Sequence, residues 1–198
     1  MNRVVEVWRD IGAESLNLPN LLTLARILLI PVFIILFVNP TPDQSLAAAI
    51  VFTVAAVTDM LDGYIARRTG QVTTLGKLLD PVADKLLVLS ALILLMNVDR
   101  VSAVVALLII GREVAVTGIR AIAAGEGMII PAETTGKYKM TLQVVAIILL
   151  ILEGTGFAEL GNMHLAGTAT LYLSLVFGYV SGSQYVWSFW KQVVAKGL

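Results

Sequence analysis

Long apolar stretches, broken by short polar, glycine and proline segments, set the rhythm of this chain. Runs of about twenty residues occur at about 18–38, 44–67, 80–98, 101–122, 138–154 and 167–190. Each is long enough to cross a hydrocarbon core of about 30 Å as an α-helix. The breaks carry helix-stopping chemistry. Asn39-Pro40-Thr41-Pro42-Asp43 separates the first two runs, since neither proline can continue a helix. Asp80-Pro81 reads as N-cap and first helical residue of the third run. Gly125-Glu126-Gly127 with Pro131, and the stretch from Gly154 to Gly167, mark the later loops. Ahead of the first run, Val4, Val5, Trp8 and Ile11 recur at helical spacing with charges on the other face. That pattern predicts an amphipathic helix over residues 1–16 lying in the membrane interface, with Trp8 at headgroup depth. The predicted architecture is an all-α integral membrane protein. Six transmembrane helices form a single domain over residues 17–198, preceded by the interfacial helix. No internal repeat or low-complexity segment interrupts it.

Composition agrees with that pattern. Of 198 residues, 58% are apolar and 14% charged, against about 25% charged in soluble domains. The net charge is zero, which removes any electrostatic case for nucleic acid. The absence of cysteine excludes disulfides, thiolate zinc sites and cysteine nucleophiles. His164, the one histidine, lies in a glycine-rich stretch far from the acids discussed below and reads as a solvated loop residue. The mixed charges Arg3, Glu6, Arg9, Asp10 and Glu14 do not resemble a cleaved signal peptide, so the first apolar run is expected to be retained.

Six spans put both termini on one side. Arg3, Arg9, Arg67, Arg68, Lys77, Lys85, Arg120, Lys137, Lys139, Lys191 and Lys196 then share that side, with Arg100 opposite. Eleven cations against one place the termini and the connection between the second and third helices in the cytoplasm. Gly178 and Gly182 have the G-x-x-x-G spacing of close helix packing, within the chain or between two copies.

Four aspartates stand out in this apolar setting: Asp59, Asp62, Asp80 and Asp84. An acid inserted at the centre of a membrane helix costs roughly 2.5–3.5 kcal/mol, so such residues are usually paired or functional. Asp59 and Asp62 share one face at the end of the second helix, and Asp80 and Asp84 share one at the start of the third. A short connection makes these helices expected antiparallel neighbours, so the four carboxylates would converge near the cytoplasmic surface. Alone, such a cluster raises its own pKa values, and divalent cations remove that penalty. All-oxygen ligands favour Mg²⁺ or Mn²⁺ over zinc. Gly63 and Ala66 lie one turn beyond the first pair and Gly76 one turn before Asp80, leaving room for a bulky ligand. Arg67 adds a bidentate anion clamp. The set suits a diphosphate held between two metal ions. Taken singly, each of these residues reads as a cap or solvated turn.

The run Asp59-x-x-Asp62-Gly63-x-x-Ala66-Arg67, followed by Gly76, Asp80 and Asp84 at fixed spacing, resembles the signature of the CDP-alcohol phosphotransferases at every position. The resemblance extends to the six-helix layout. It implies that a CDP-linked alcohol gives its phosphatidyl or related group to a second alcohol, releasing CMP. It further implies that Asp59, Asp62, Asp80 and Asp84 ligate two divalent ions, and that Asp62, Gly63, Ala66, Arg67 and Gly76 serve the cytidine-diphosphate site. Asp84 is implied as general base toward the acceptor hydroxyl, and a homodimer is implied as the assembly.

Further cations bear on the acceptor. Arg26 lies inside the first run on the same face as Thr23. Arg112 lies inside the fourth, with Arg120 eight residues later on nearly the same face, and Lys137 and Lys139 open the fifth. Buried arginines need anionic partners. Glu113, adjacent to Arg112, projects about 100° away on a helix, which favours a ligand as the partner. Thr23, Arg26, Arg112, Arg120, Lys137 and Lys139 are therefore candidates for an acceptor carrying its own phosphate. The competing readings make Lys137 and Lys139 membrane anchors and pair Arg26 with a signature aspartate. The segments Asn17–Arg26, Gly76–Lys85 and Gly136-Lys137-Tyr138-Lys139 resemble the bacterial phosphatidylglycerophosphate synthase branch, with Met140 where threonine is expected. That resemblance implies CDP-diacylglycerol as donor, sn-glycerol 3-phosphate as acceptor and residence in the bacterial plasma membrane. Rival expectations are a cardiolipin synthase of the same family and, from another class, an ion or proton transporter.

Overall fold

The computed structural model describes residues 18–69, 74–128, 134–155 and 162–196. At residues 18–20, 60, 62–69, 74–78, 80, 81, 134 and 196 the description covers the helical backbone and not the side chain. Six α-helices make up the secondary structure of the described residues. They are α1 (Leu18–Phe37), α2 (Pro42–Thr69), α3 (Thr74–Asn97), α4 (Ala103–Gly125), α5 (Thr134–Leu152) and α6 (Met163–Lys196). The interfacial helix expected over 1–16 lies outside the described residues.

Local chemistry explains the helix ends. Thr41 caps α2: Gln44 N–H donates to Thr41 Oγ1 (3.3 Å) while Thr41 N–H donates to Gln44 Oε1 (2.9 Å). This reciprocal capping box puts Pro42 at the first helical position, where its missing N–H costs nothing. The helix therefore starts two residues before the predicted 44. At the end of α3, Arg100 N–H reaches Leu95 O and Asp99 N–H reaches Met96 O, with Asp99 at φ 57°. The end of α4 repeats the motif: Met128 N–H reaches Ala123 O, Gly127 N–H reaches Ala124 O, and Gly127 sits at φ 63°. Both are Schellman closures, which need a left-handed residue just past the helix. Ser102 and Asn162 cap the starts of α4 and α6 through Val105 N–H and Leu165 N–H. The predicted start of the third helix is corrected. It begins at Thr74, six residues early, so Asp80-Pro81 falls inside α3 and does not cap it. Membrane-type helices tolerate such a proline where neighbouring groups satisfy the freed carbonyl, as α1 also does at Pro31.

The chain divides into two compact units, residues 1–94 with 154–156, and residues 95–153 with 157–198. In the first, α1 packs on α2. Phe33 stacks on Phe37 (centroids 5.7 Å apart) and meets Phe52 of α2 at 5.6 Å. All three rings are fully buried, and Ala48, Ala49, Ala55 and Ala56 give α2 the small-residue face that lets α1 approach. The opposite face of α1 presents Leu28 and Ile35, 64% and 73% exposed.

In the second unit, α6 packs on both α5 and α4. Gly167 makes the α5–α6 approach possible, since a Cβ there would stand 2.7 Å from Leu150 Cγ. Arg100, from the α3–α4 connection, donates through Nη1 to the carbonyls of Leu150 and Ile151, both at 3.0 Å, capping the end of α5. Partial burial lowers its pKa from the ordinary arginine value and Glu153 opposes that shift. His164 Nδ1 lies 2.9 Å from Glu153 Oε2. The histidine thus sits in the first turn of α6 and not in a loop as expected, half exposed and joined to an acid.

Among the described residues, Thr135–Leu152 of α5 and Met163–Ala195 of α6 are long and apolar enough to cross a membrane, and Leu21–Phe37 forms a shorter apolar run in α1.

Candidate active site

The first unit holds the aspartates. Asp59 projects from the second half of α2 with its side chain 18% exposed, 2.7 Å from Arg26 Nη1 of α1. Arg26 is fully buried. Its Nε donates to the Ala55 carbonyl (3.3 Å), which also accepts from Thr58 Oγ1 (2.8 Å). Thr23, one turn earlier on α1, is buried as well. Arg26 is therefore engaged with a signature aspartate and with a helix carbonyl one turn below it. Asp84 is partly buried on α3, between the fully buried Ala83 and the partly buried Lys85. Asp62, Gly63, Ala66 and Arg67 fall within α2, and Gly76 and Asp80 within α3, but their side chains lie outside the described residues.

Helix register adds a constraint. Asp59 and Asp62 stand ten and seven residues before the last residue of α2, and Asp80 and Asp84 stand six and ten after the first of α3. At ~1.5 Å per residue these are ~15 and ~10 Å on one helix and ~9 and ~15 Å on the other. Counted as rise along each helix, Asp59 and Asp84 are equally far from residues 70–73, and Asp62 and Asp80 nearly so.

The second unit holds the other cations, and the structure sorts them. Arg112 Nη1 lies 2.8 Å from Glu113 Oε1, and Lys139 Nζ of α5 lies 2.5 Å from the same oxygen. Arg112 Nε donates to the Gly178 carbonyl of α6 at 2.8 Å. Gly178 and Gly182 make room for this guanidinium: a Cβ at Gly182 would lie 3.3 Å from Arg112 Nε, and one at Gly178 3.7 Å from it. The G-x-x-x-G pair thus serves packing inside the chain, on buried positions. The expectation that Glu113 points away from Arg112 is corrected. Both side chains are long enough to bend toward a common point between α4 and α5, which the helical wheel does not register. Arg120 lies over the Tyr185 ring, 5.4 Å from its centroid. Lys137 is exposed. Among the described residues, Arg112 and Lys139 are the two of the four cations expected here that meet on one acid.

Glu113 was missed as a structural tie, and so was Gln143. The latter is 2% exposed, one turn beyond Lys139 on α5, in a crevice shared with Arg112 and Glu113. A polar residue four positions after a lysine, inside an apolar run, was the available signal.

Among the described residues no group of three or more acids or histidines stands close enough to hold a metal. Asp59 and Asp84 are the two described members of the expected set, and their donor chemistry, partly buried carboxylate oxygen without sulfur or imidazole, fits a hard divalent ion.

The chain belongs to the CDP-alcohol phosphatidyltransferase family, whose sequence pattern matches residues 16–180. A Bacillus subtilis (strain 168) protein named CDP-diacylglycerol--glycerol-3-phosphate 3-phosphatidyltransferase is 43% identical over 187 residues, spanning 88% of this chain and 96% of that protein. Proteins of the same name from Rickettsia bellii (strain RML369-C) and Pseudomonas fluorescens are each 39% identical. These alignments cover 85% and 87% of this chain, and 93% and 86% of the relatives.

Proposed function

We propose that this protein transfers the phosphatidyl group of CDP-diacylglycerol to sn-glycerol 3-phosphate, giving phosphatidylglycerol phosphate and CMP. The observation that carries this is the 43% identity, over 88% of the chain, to a protein named for that reaction. The site supports it. Two divalent ions, Mg²⁺ or Mn²⁺, would be held by Asp59, Asp62, Asp80 and Asp84. When bound, they supply positive charge that offsets the donor diphosphate. Arg26 positions Asp59, while Gly63, Ala66, Arg67 and Gly76 receive the cytidine diphosphate. Asp84 takes the proton of the glycerol phosphate 1-hydroxyl. That oxygen attacks the phosphorus bearing diacylglycerol, and the bond from this phosphorus to CMP breaks. Catalysis is then chiefly orientation and charge placement. Arg112 and Lys139 receive the acceptor phosphate, since these two converge on a single anionic oxygen, here that of Glu113. Thr23, Arg120 and Lys137 are the secondary candidates.

All six helices are read as membrane spans, with both termini and the aspartates cytoplasmic and the protein in the bacterial plasma membrane. Their lengths, from 19 to 34 residues, support this. So do Trp187 and Trp190, both exposed near the end of α6, with Lys191 stacked 5.4 Å over the Trp187 ring as in an interfacial belt. A homodimer fits the same reading, with an interface other than Gly178 and Gly182.

An acceptor panel tests the function. Purified protein with CDP-diacylglycerol and Mg²⁺ is expected to release CMP with glycerol 3-phosphate and not with phosphatidylglycerol, serine or inositol phosphate. Release with phosphatidylglycerol alone would make it a cardiolipin synthase. Ion flux without CMP release would make it a transporter.

A further inference from the structure

Gln143 Nε2 is buried and has no hydrogen-bond partner among the described residues. The residue faces a crevice of about 10 Å³, lined also by Arg112, Glu113, Lys139, Ser174 and Gly178. That volume admits about one oxygen atom. Its walls already carry two cations that share one carboxylate oxygen, while Ser174 Oγ donates to the Leu171 carbonyl of its own helix. A buried amide without a partner is costly, and native proteins keep few of them. Here the unsatisfied donor stands one turn from Lys139, beside the cations that receive the acceptor phosphate in the reading above.

We propose that Gln143 is an acceptor-binding residue, its amide N–H donating to an oxygen of the phosphorylated acceptor. The inference rests on Arg112 and Lys139 being the acceptor site. Gln143 discriminates for oxygen-rich acceptors, because an acceptor lacking an oxygen at this point leaves the amide buried and unpaired. A donor that is idle in the unliganded protein contributes nothing to folding. Its removal therefore separates stability from binding, in opposite directions.

The test uses Gln143→Leu and Gln143→Met in the full-length protein, with CMP release and thermal unfolding in detergent as readouts. Both variants are expected to melt at or above the wild-type temperature before substrate is added. The KM for glycerol 3-phosphate should rise about tenfold or more, as for loss of a hydrogen bond to a charged group, with the KM for CDP-diacylglycerol unchanged. An unchanged acceptor KM in folded variants overturns the proposal. So does an equal rise in the donor KM. Loss of folding in both variants also overturns it, since a partnerless group cannot be required for stability. Lys139→Met, run alongside, isolates the premise. If it leaves the acceptor KM untouched, the acceptor-site reading itself fails. If it raises that KM while the Gln143 variants do not, only the role of Gln143 fails.

Discussion

The Arg26–Asp59 pair decides how the first carboxylate is presented. A fully buried guanidinium 2.7 Å from an acid that is 18% exposed fixes the direction of that carboxylate. Removing one partner of a buried pair typically costs 3–5 kcal/mol. Arg26→Met is expected to cost roughly 2–4 kcal/mol, somewhat less because Asp59 reaches solvent. Thermal unfolding checks this, and Arg26→Lys should recover part of the loss. Asp84→Asn keeps the volume and removes the proposed base and its charge. It is expected to lower kcat by about 10³-fold or more with little change in melting temperature, and a variant retaining a tenth of wild-type CMP release would contradict the assignment. Glu113 belongs to the same scale. One carboxylate oxygen holds Arg112 and Lys139 side by side, so two like charges from different helices sit together at a net charge of one.

At the scale of elements, glycine distribution separates contact from open faces. A Cβ at Gly167 meets Leu150 Cγ at 2.7 Å and Leu149 Cβ at 3.3 Å, whereas one at Gly118 of α4 meets nothing within 4 Å. Gly167→Ala is expected to destabilise by about 1–3 kcal/mol as α5 and α6 are pushed apart. Gly118→Ala should stabilise by about 0.5–1 kcal/mol through helix propensity alone. Paired melting curves read both signs, and the same sign for both would undo the packing argument. The chain ends of these helices are equally local in origin. Thr41 with Gln44, Ser102, Asn162, and the left-handed Asp99 and Gly127 each close a helix with groups no more than five residues away.

For the molecule as a whole, charge and hydropathy set the environment. Among the described residues the most exposed apolar side chains, Ile35, Leu107 and Val104, are 73%, 70% and 67% exposed, a surface that suits hydrocarbon better than water. Chelation with EDTA is expected to abolish CMP release, and excess Mg²⁺ or Mn²⁺ to restore it. Activity that survives exhaustive chelation would remove the metal reading of the four aspartates. Cysteines placed singly at Arg3 and at Lys196 of this cysteine-free chain should both label from the cytoplasmic side only. Labelling from opposite faces would exclude an even number of spans.

Much of this protein is short-range and therefore readable along the chain. Six apolar periods became six helices, because hydrogen bonds to the fourth neighbour and nearby caps need nothing from elsewhere. The acid spacing identified the family for the same reason: three- and four-residue intervals set faces on a helix. Errors arose where a local cue competed with tertiary contacts. Asp80-Pro81 looked like a helix start, yet α3 continues through it. An Arg26 pair with a signature aspartate was legible as one of two readings, but the choice of Asp59 and the other pairings were not. Arg26 meets an acid 33 residues away, Arg112 and Lys139 meet on Glu113, Arg120 turns to Tyr185, and Gly178 and Gly182 accommodate an arginine of another helix. Each of these depends on which helices pack together and at what rotation. That is a property of summed contacts across the fold, which no single interval in the chain encodes.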